Sequence, residues 1–118
     1  MPGERAALTA QGGYYVVTGV APFVSRRAFE AVTGPKTEWW LVQTVGAIVT
    51  VVGGALVSGA GSGRVTRELR ALAAGCAAGL AGIDVFYVMR RRIAPTYLLD
   101  AAAQVVFLDW LARGAAER

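Results

Sequence analysis

The stretch WWLVQTVGAIVTVVGGALVS, residues 39–58, decides the fold: twenty residues without one formal charge, opened by a tryptophan pair. About 20 residues of helix cross a hydrocarbon core of ~30 Å, and Trp39 and Trp40 suit its polar boundary. Three further windows of similar length lie around it, at residues 8–24, 71–89 and 93–111. The first of these carries Gln11, Gly12, Gly13 and Pro22, which is expected to kink or end its helix. The third span holds one acid, Asp84, and the fourth holds Asp100 and Asp109. A spanning segment must satisfy its own backbone hydrogen bonds, so all four read as helices.

Composition agrees with that reading. The chain has 118 residues and a mass of 12.3 kDa; 55% are apolar, 17% are charged, and the mean hydropathy is +0.47. A soluble chain this short has too little interior for so much hydrocarbon. Disorder, a disulfide scaffold and a free nucleic-acid-binding domain are disfavoured, despite a net charge of +4 and a pI of about 9.8. The lone Cys76 forms no intramolecular disulfide, and the lack of histidine removes the usual haem and zinc ligands. No cofactor and no metal site are expected. Eleven arginines stand against the single Lys36 and asparagine is missing, a bias of GC-rich bacterial genomes. Residues 1–12 lack the order of a cleavable signal peptide, so insertion is expected to rely on the helices themselves. The expected product is one multi-pass domain, residues 1–118, in a bacterial inner membrane.

The connections set the topology. Residues 25–38 hold Arg26, Arg27, Glu30, Lys36 and Glu38 beside Ala28, Phe29 and Val32, enough for a short interfacial helix that Gly34 and Pro35 break. In residues 59–70, Gly61, Ser62 and Gly63 form a flexible link, and Thr66 is a plausible N-cap with Glu68 in the following turn. Residues 90–92 make a tight turn, with Pro95 near the start of the last span. Short links make neighbours antiparallel, giving an all-α, up-down-up-down four-helix transmembrane bundle. Gly46, Thr50, Gly54 and Ser58 recur at every fourth position, and Gly75, Gly79 and Gly82 lie beside Ala74 and Ala78. Such stripes serve either packing within one bundle or a homodimer seam.

Basic residues divide six against six between the two faces, so charge does not orient the chain. In layout this resembles small dual-topology transporters and channels that work as antiparallel dimers. The first span lacks the embedded carboxylate of small multidrug transporters, and no fluoride-channel motif is present.

An acid inside a span costs on the order of 2.5 to 3.5 kcal/mol on insertion scales, which makes it a functional candidate. Asp84 lies about 8 Å from the tight third connection and Asp100 about 10 Å, so the pair shares one level. Thr18 and Gln43 fall at the same depth. Tyr87 and Tyr97 stand one turn from the acids, below a rim of Lys36 and arginines. Two carboxylates in low dielectric do not both ionise freely, which suits proton coupling, acid-base work or capture of a polar head group. The alternative is architectural: Lys36 or a snorkelling arginine satisfies the acids and they fix helix register. Asp109, four residues before Arg113, reads as a local ion pair.

Residues 29–42, FEAVTGPKTEWWLV, resemble a signature of small bacterial membrane proteins. Tyr14, Tyr15, Thr18, Gly19 and Pro22 before it, and Ile83, Asp84, Val85, Tyr87, Tyr97, Leu98, Leu99, Asp100 and Ala101 after it, extend the similarity over nearly the whole chain. The resemblance implies a four-span inner-membrane protein whose polar loop residues matter, and carries no activity with it. In span number and size the layout also resembles DoxX-like four-helix membrane proteins.

Three functions are therefore expected. The first is binding or transport of a small polar or amphiphilic ligand in a pocket of Thr18, Lys36, Gln43, Asp84, Tyr87, Tyr97 and Asp100. The second is an enzyme acting on a lipid or isoprenoid, which needs a nucleophile or cofactor not evident in the sequence. The third is an accessory subunit whose small-residue stripes face partners. The lipid bilayer is the expected surrounding in every case, and nucleic acid is not an expected partner.

Overall fold

The computed structural model describes residues 2–34, 38–91 and 96–116. Over them the chain is all-α, with helices α1 (Pro2–Val24), α2 (Arg26–Thr33), α3 (Trp39–Gly61), α4 (Arg67–Met89) and α5 (Tyr97–Ala116). The order matches the sequence reading, and the ends differ. Helix α1 begins six residues earlier than the apolar window, because Glu4 and Arg5 find partners inside the fold. It also continues two residues past Pro22. A proline this near the C-terminus removes little of the helical ladder.

Local chemistry explains the short elements. Ser25 caps α2 by accepting from the Ala28 amide at 3.1 Å, and Gly34, at φ 93°, ends it. Thr66 caps α4 by accepting from the Leu69 amide at 3.1 Å, as its position implied, with Glu68 favouring the positive end of the helix. Pro35, Lys36, Arg92 and Pro95 lie outside the described residues.

Helices α3 and α4 are long and apolar enough to cross a membrane, and only 17% of each apolar window is buried within the chain. A core helix of a soluble protein buries most of its length; these two turn theirs outward. Among the described residues these are the two helices apolar enough for a span; α1 and α5, expected as the first and fourth spans, have the length, at 23 and 20 residues, without the same apolar character.

The packing order is not the chain order. Helix α1 is central, with α3 on one side and α5 on the other, and α4 packs on α5; α3 and α4, though joined by a short turn, barely touch. Two antiparallel pairs, α1–α3 and α4–α5, therefore meet along α1 and α5. Glycines bring α1 and α3 together. A Cβ on Gly12 would stand 2.7 Å from the Gly53 carbonyl oxygen, and one on Gly46 would stand 2.6 Å from that of Gly19. The seam repeats every seventh residue on each helix, so it uses Gly46 and Thr50 of the expected stripe but replaces Gly54 and Ser58 with Gly53. Gly54 and Ser58 are exposed, and a Cβ on Gly54, Gly75, Gly79 or Gly82 meets nothing within 4 Å.

The core gathers where α1 begins and α3 ends, around Ala7, Leu8, Tyr15, Leu56, Ala60, Ala73 and Leu111. Toward the opposite end, Val17, Phe23 and Val24 of α1 and Ile83, Phe86 and Met89 of α4 are exposed. The bundle is thus tight at one end and apolar but open at the other.

Candidate functional site

Three helices build one buried polar network. Helix α1 contributes Gln11, Tyr14 and Tyr15, α4 contributes Asp84, and α5 contributes Asp100 and Gln104. Gln11 Nε2 donates to the Tyr15 hydroxyl at 3.0 Å and to the Ala73 carbonyl oxygen at 2.9 Å. Tyr15 donates to Gln104 Oε1 at 2.7 Å, and Gln104 Nε2 donates to Asp100 Oδ1 at 3.2 Å. Tyr14 donates to the same oxygen at 2.5 Å. From Ala73 to Asp84 this run covers about 16 Å of α4.

The positions follow from helical spacing. Gln11 and Tyr15, like Asp100 and Gln104, stand one turn apart and project to one side. Antiparallel packing of α1 on α5 then sets Tyr15 opposite Gln104 and Tyr14 beside Asp100. Phe107 packs edge-on against Tyr14 at 5.6 Å, so an aromatic wall flanks the acid.

Asp84 is 5% exposed, and its carboxyl lies against that of Asp100. Its Oδ2 has no hydrogen-bond partner, nor does Gln11 Oε1. Among the described residues no basic side chain pairs with either acid; the ion pairs are Arg26–Glu30, Arg67–Glu68, Arg70–Glu4 and Arg113–Asp109. The architectural alternative named Lys36, which lies outside the described residues, or a snorkelling arginine, and no described arginine pairs with either acid. Burying an unpaired charge costs several kcal/mol, which disfavours two free carboxylates side by side here.

The site differs from the expected layer. Asp84 and Asp100 come together, but Thr18 is exposed and its hydroxyl donates back to the Tyr14 carbonyl at 2.8 Å. Gln43 is half-buried on α3, which packs on α1 away from the acids. Tyr87 is 38% exposed and stacks edge-on with Phe86, one turn from Asp84 but outside the network. Tyr97 is half-buried at the start of α5. Lys36 lies outside the described residues. Arg91 follows the end of α4 at φ 57°, so it does not continue the face of Asp84. Near the open end, Arg26 lies 4.8 Å over the Trp39 ring, and Arg90 lies 5.5 Å over Phe86.

Sequence reasoning missed the α1 contribution. Gln11 counted only as a defect in a span, although it stands three and four residues before Tyr14 and Tyr15, the spacing of a one-sided polar face. A second buried charge was missed as well: Glu4, 5% exposed, accepts from Arg70 Nε at 2.7 Å. Asp109 and Arg113 form the expected local pair at 2.8 Å on the surface.

Comparison with protein-family models, with curated proteins and with solved structures gives no match for this chain.

Proposed function

We propose that this chain is a multi-pass protein of the bacterial inner membrane that binds or transports a small polar or amphiphilic ligand at the Asp84–Asp100 pair. One observation carries the reading: Asp84 is buried against a second acid with an unpartnered oxygen, and among the described residues no basic side chain pairs with it. Groups of this kind, when retained inside an apolar bundle, serve binding or ion movement by default. The membrane assignment is supported by α3 and α4, whose apolar surfaces point away from the protein, and the four-span bundle extends it to α1 and α5.

The test uses the full chain in nanodiscs, titrated with dodecylammonium, dodecyl phosphate and dodecanol. These share a tail and differ in head group. Saturable binding of one of them, lost in the Asp84→Asn/Asp100→Asn double variant with helicity retained, is the expected result. Binding of none, or binding unchanged in the double variant, removes the site.

A second reading, an accessory subunit or homodimer, is supported by the bare side of α4, where Gly75, Gly79 and Gly82 leave room for a neighbouring backbone. Mass measurement of the nanodisc-embedded protein tests it.

A further inference from the structure

We propose that the acid pair exchanges one proton for one alkylammonium ion, with Asp84 as the exchanging acid and Asp100 as the fixed negative charge. This rests on the ligand-binding reading above and names its substrate class. The assignment comes from hydrogen-bond direction. Apart from the Gln11 bond to the Ala73 carbonyl, the donors of the network lead toward Asp100, which accepts from Tyr14 and from Gln104. An acid receiving donors from two helices is organised as a carboxylate. Asp84 receives none, its Oδ2 is bare, and its carboxyl abuts that carboxylate. The proton that holds the two acids together therefore belongs to Asp84.

The groups facing Asp84 are few. Helix α5 presents Asp100, and α1 presents Tyr14, with Tyr15 behind it; α4 itself carries Cys76 two turns away and the exposed Tyr87. Helix α3 has no titratable side chain, and α2 packs on α1 and on Trp39 at the start of α3. Among the described residues no basic side chain pairs with either acid, and Arg90 lies over the Phe86 ring at the open end.

A primary ammonium fits better than a metal ion. A hard cation such as calcium needs six to eight oxygens, and the described residues hold no group of three His, Cys, Asp or Glu suited to a metal. An ammonium has three N–H donors, enough for the bare Asp84 oxygen and for Asp100. An alkyl tail needs apolar surroundings, and Ile83, Val85 and Phe86 flank Asp84, exposed.

The exchange balances. The Asp84 carboxylic acid hydrogen-bonded to the Asp100 carboxylate takes up R–NH3+ and releases H+, leaving two carboxylates around one ammonium. The site carries one net negative charge before and after. The step is electroneutral, with one proton released per cation bound.

The decisive measurement is dodecylammonium affinity of the full wild-type chain in nanodiscs between about pH 5.5 and 8.5, a range in which the amine stays charged. Apparent Kd should rise toward about tenfold per pH unit of acidification. A weakly buffered sample should release one proton per ammonium bound. Dodecyltrimethylammonium, which has no N–H donors, should bind about tenfold more weakly or worse. Asp84→Asn, whose amide donates to Asp100 but has no exchangeable proton, should bind weakly and without pH dependence. A pH-independent wild-type Kd overturns the exchange, and so does binding of dodecyl phosphate or dodecanol in place of the ammonium, though that second result leaves the ligand-binding reading standing. Binding of no amphiphile sinks both.

Discussion

Tyr14 donates a 2.5 Å hydrogen bond to Asp100 across 86 residues of sequence. That bond makes α1, the least apolar-looking of the candidate spans, the organiser of the acid pair. The same helix holds the glycine seam with α3 on its other side, so a change in one seam bears on the position of the other.

Removing that hydroxyl is the most economical test of the site. Tyr14→Phe keeps the ring and its edge contact with Phe107 but takes one donor from Asp100. Hydrogen bonds to charged groups contribute about 1.5 to 3 kcal/mol in water-soluble proteins, and rather less inside bilayers. A loss of about 1 kcal/mol in reversible unfolding from mixed micelles is expected. With Asp100 less stabilised as a carboxylate, dodecylammonium should also displace the proton less readily at any given pH. Tyr87→Phe, on an exposed ring, should change neither quantity.

The two neighbouring glycines of α3 should behave oppositely. A Cβ on Gly53 would stand 2.6 Å from the Gly12 carbonyl oxygen and 2.8 Å from Tyr15 Cβ, whereas one on Gly54 meets nothing within 4 Å. Neither obstacle is the far end of a flexible side chain, so in Gly53→Ala the helices must separate. Overpacking of this kind costs about 1 to 3 kcal/mol. Gly54→Ala should be neutral or slightly stabilising, because it only removes glycine's backbone freedom. Unfolding midpoints of the two variants, measured side by side, decide this.

The contrast shows where the sequence was legible. Charge-free length revealed residues 39–58 as helix, and the capping residue Thr66 marked the start of α4, because both signals are local. Equal depth of Asp84 and Asp100 also followed from a count along one tight hairpin. The choice between Gly53 and Gly54, and of Tyr14 over Thr18, depended on helix rotation, which a polar residue's depth does not encode. Nor did a short 62–66 link reveal that α1, not α3, lies beside α5. Two helices joined by a turn need not be the pair that packs.

Glu4 and Asp109 offer another matched pair. Both accept from an arginine Nε, at 2.7 Å and 2.8 Å, but the Glu4 side chain is 7% exposed and that of Asp109 is 61% exposed. Burial leaves Arg70 with an uncompensated charge when Glu4 is removed, which strongly destabilises a fold. Exposure lets water replace Asp109. Glu4→Ala should therefore cost about 1 to 3 kcal/mol, discounted from a fully buried pair because Arg70 reaches solvent. Asp109→Ala should be close to neutral. Equal effects in denaturant titrations would mean that burial does not set the worth of these pairs.

The bare side of α4 yields the last prediction. Gly79 has no neighbour within 4 Å of a built Cβ, so Gly79→Leu should leave the unfolding midpoint of a single chain unchanged or raised, as leucine favours a helix over glycine by somewhat under about 1 kcal/mol. Against another copy the same leucine would hold two backbones apart, since glycine stripes work by close approach. If α4 packs on a second copy, wild-type protein in nanodiscs has the mass of a dimer and Gly79→Leu that of a monomer, with helicity the same in both. Monomeric mass for the two proteins alike would assign the stripe to contact with lipid, and the acid pair would then operate within one chain.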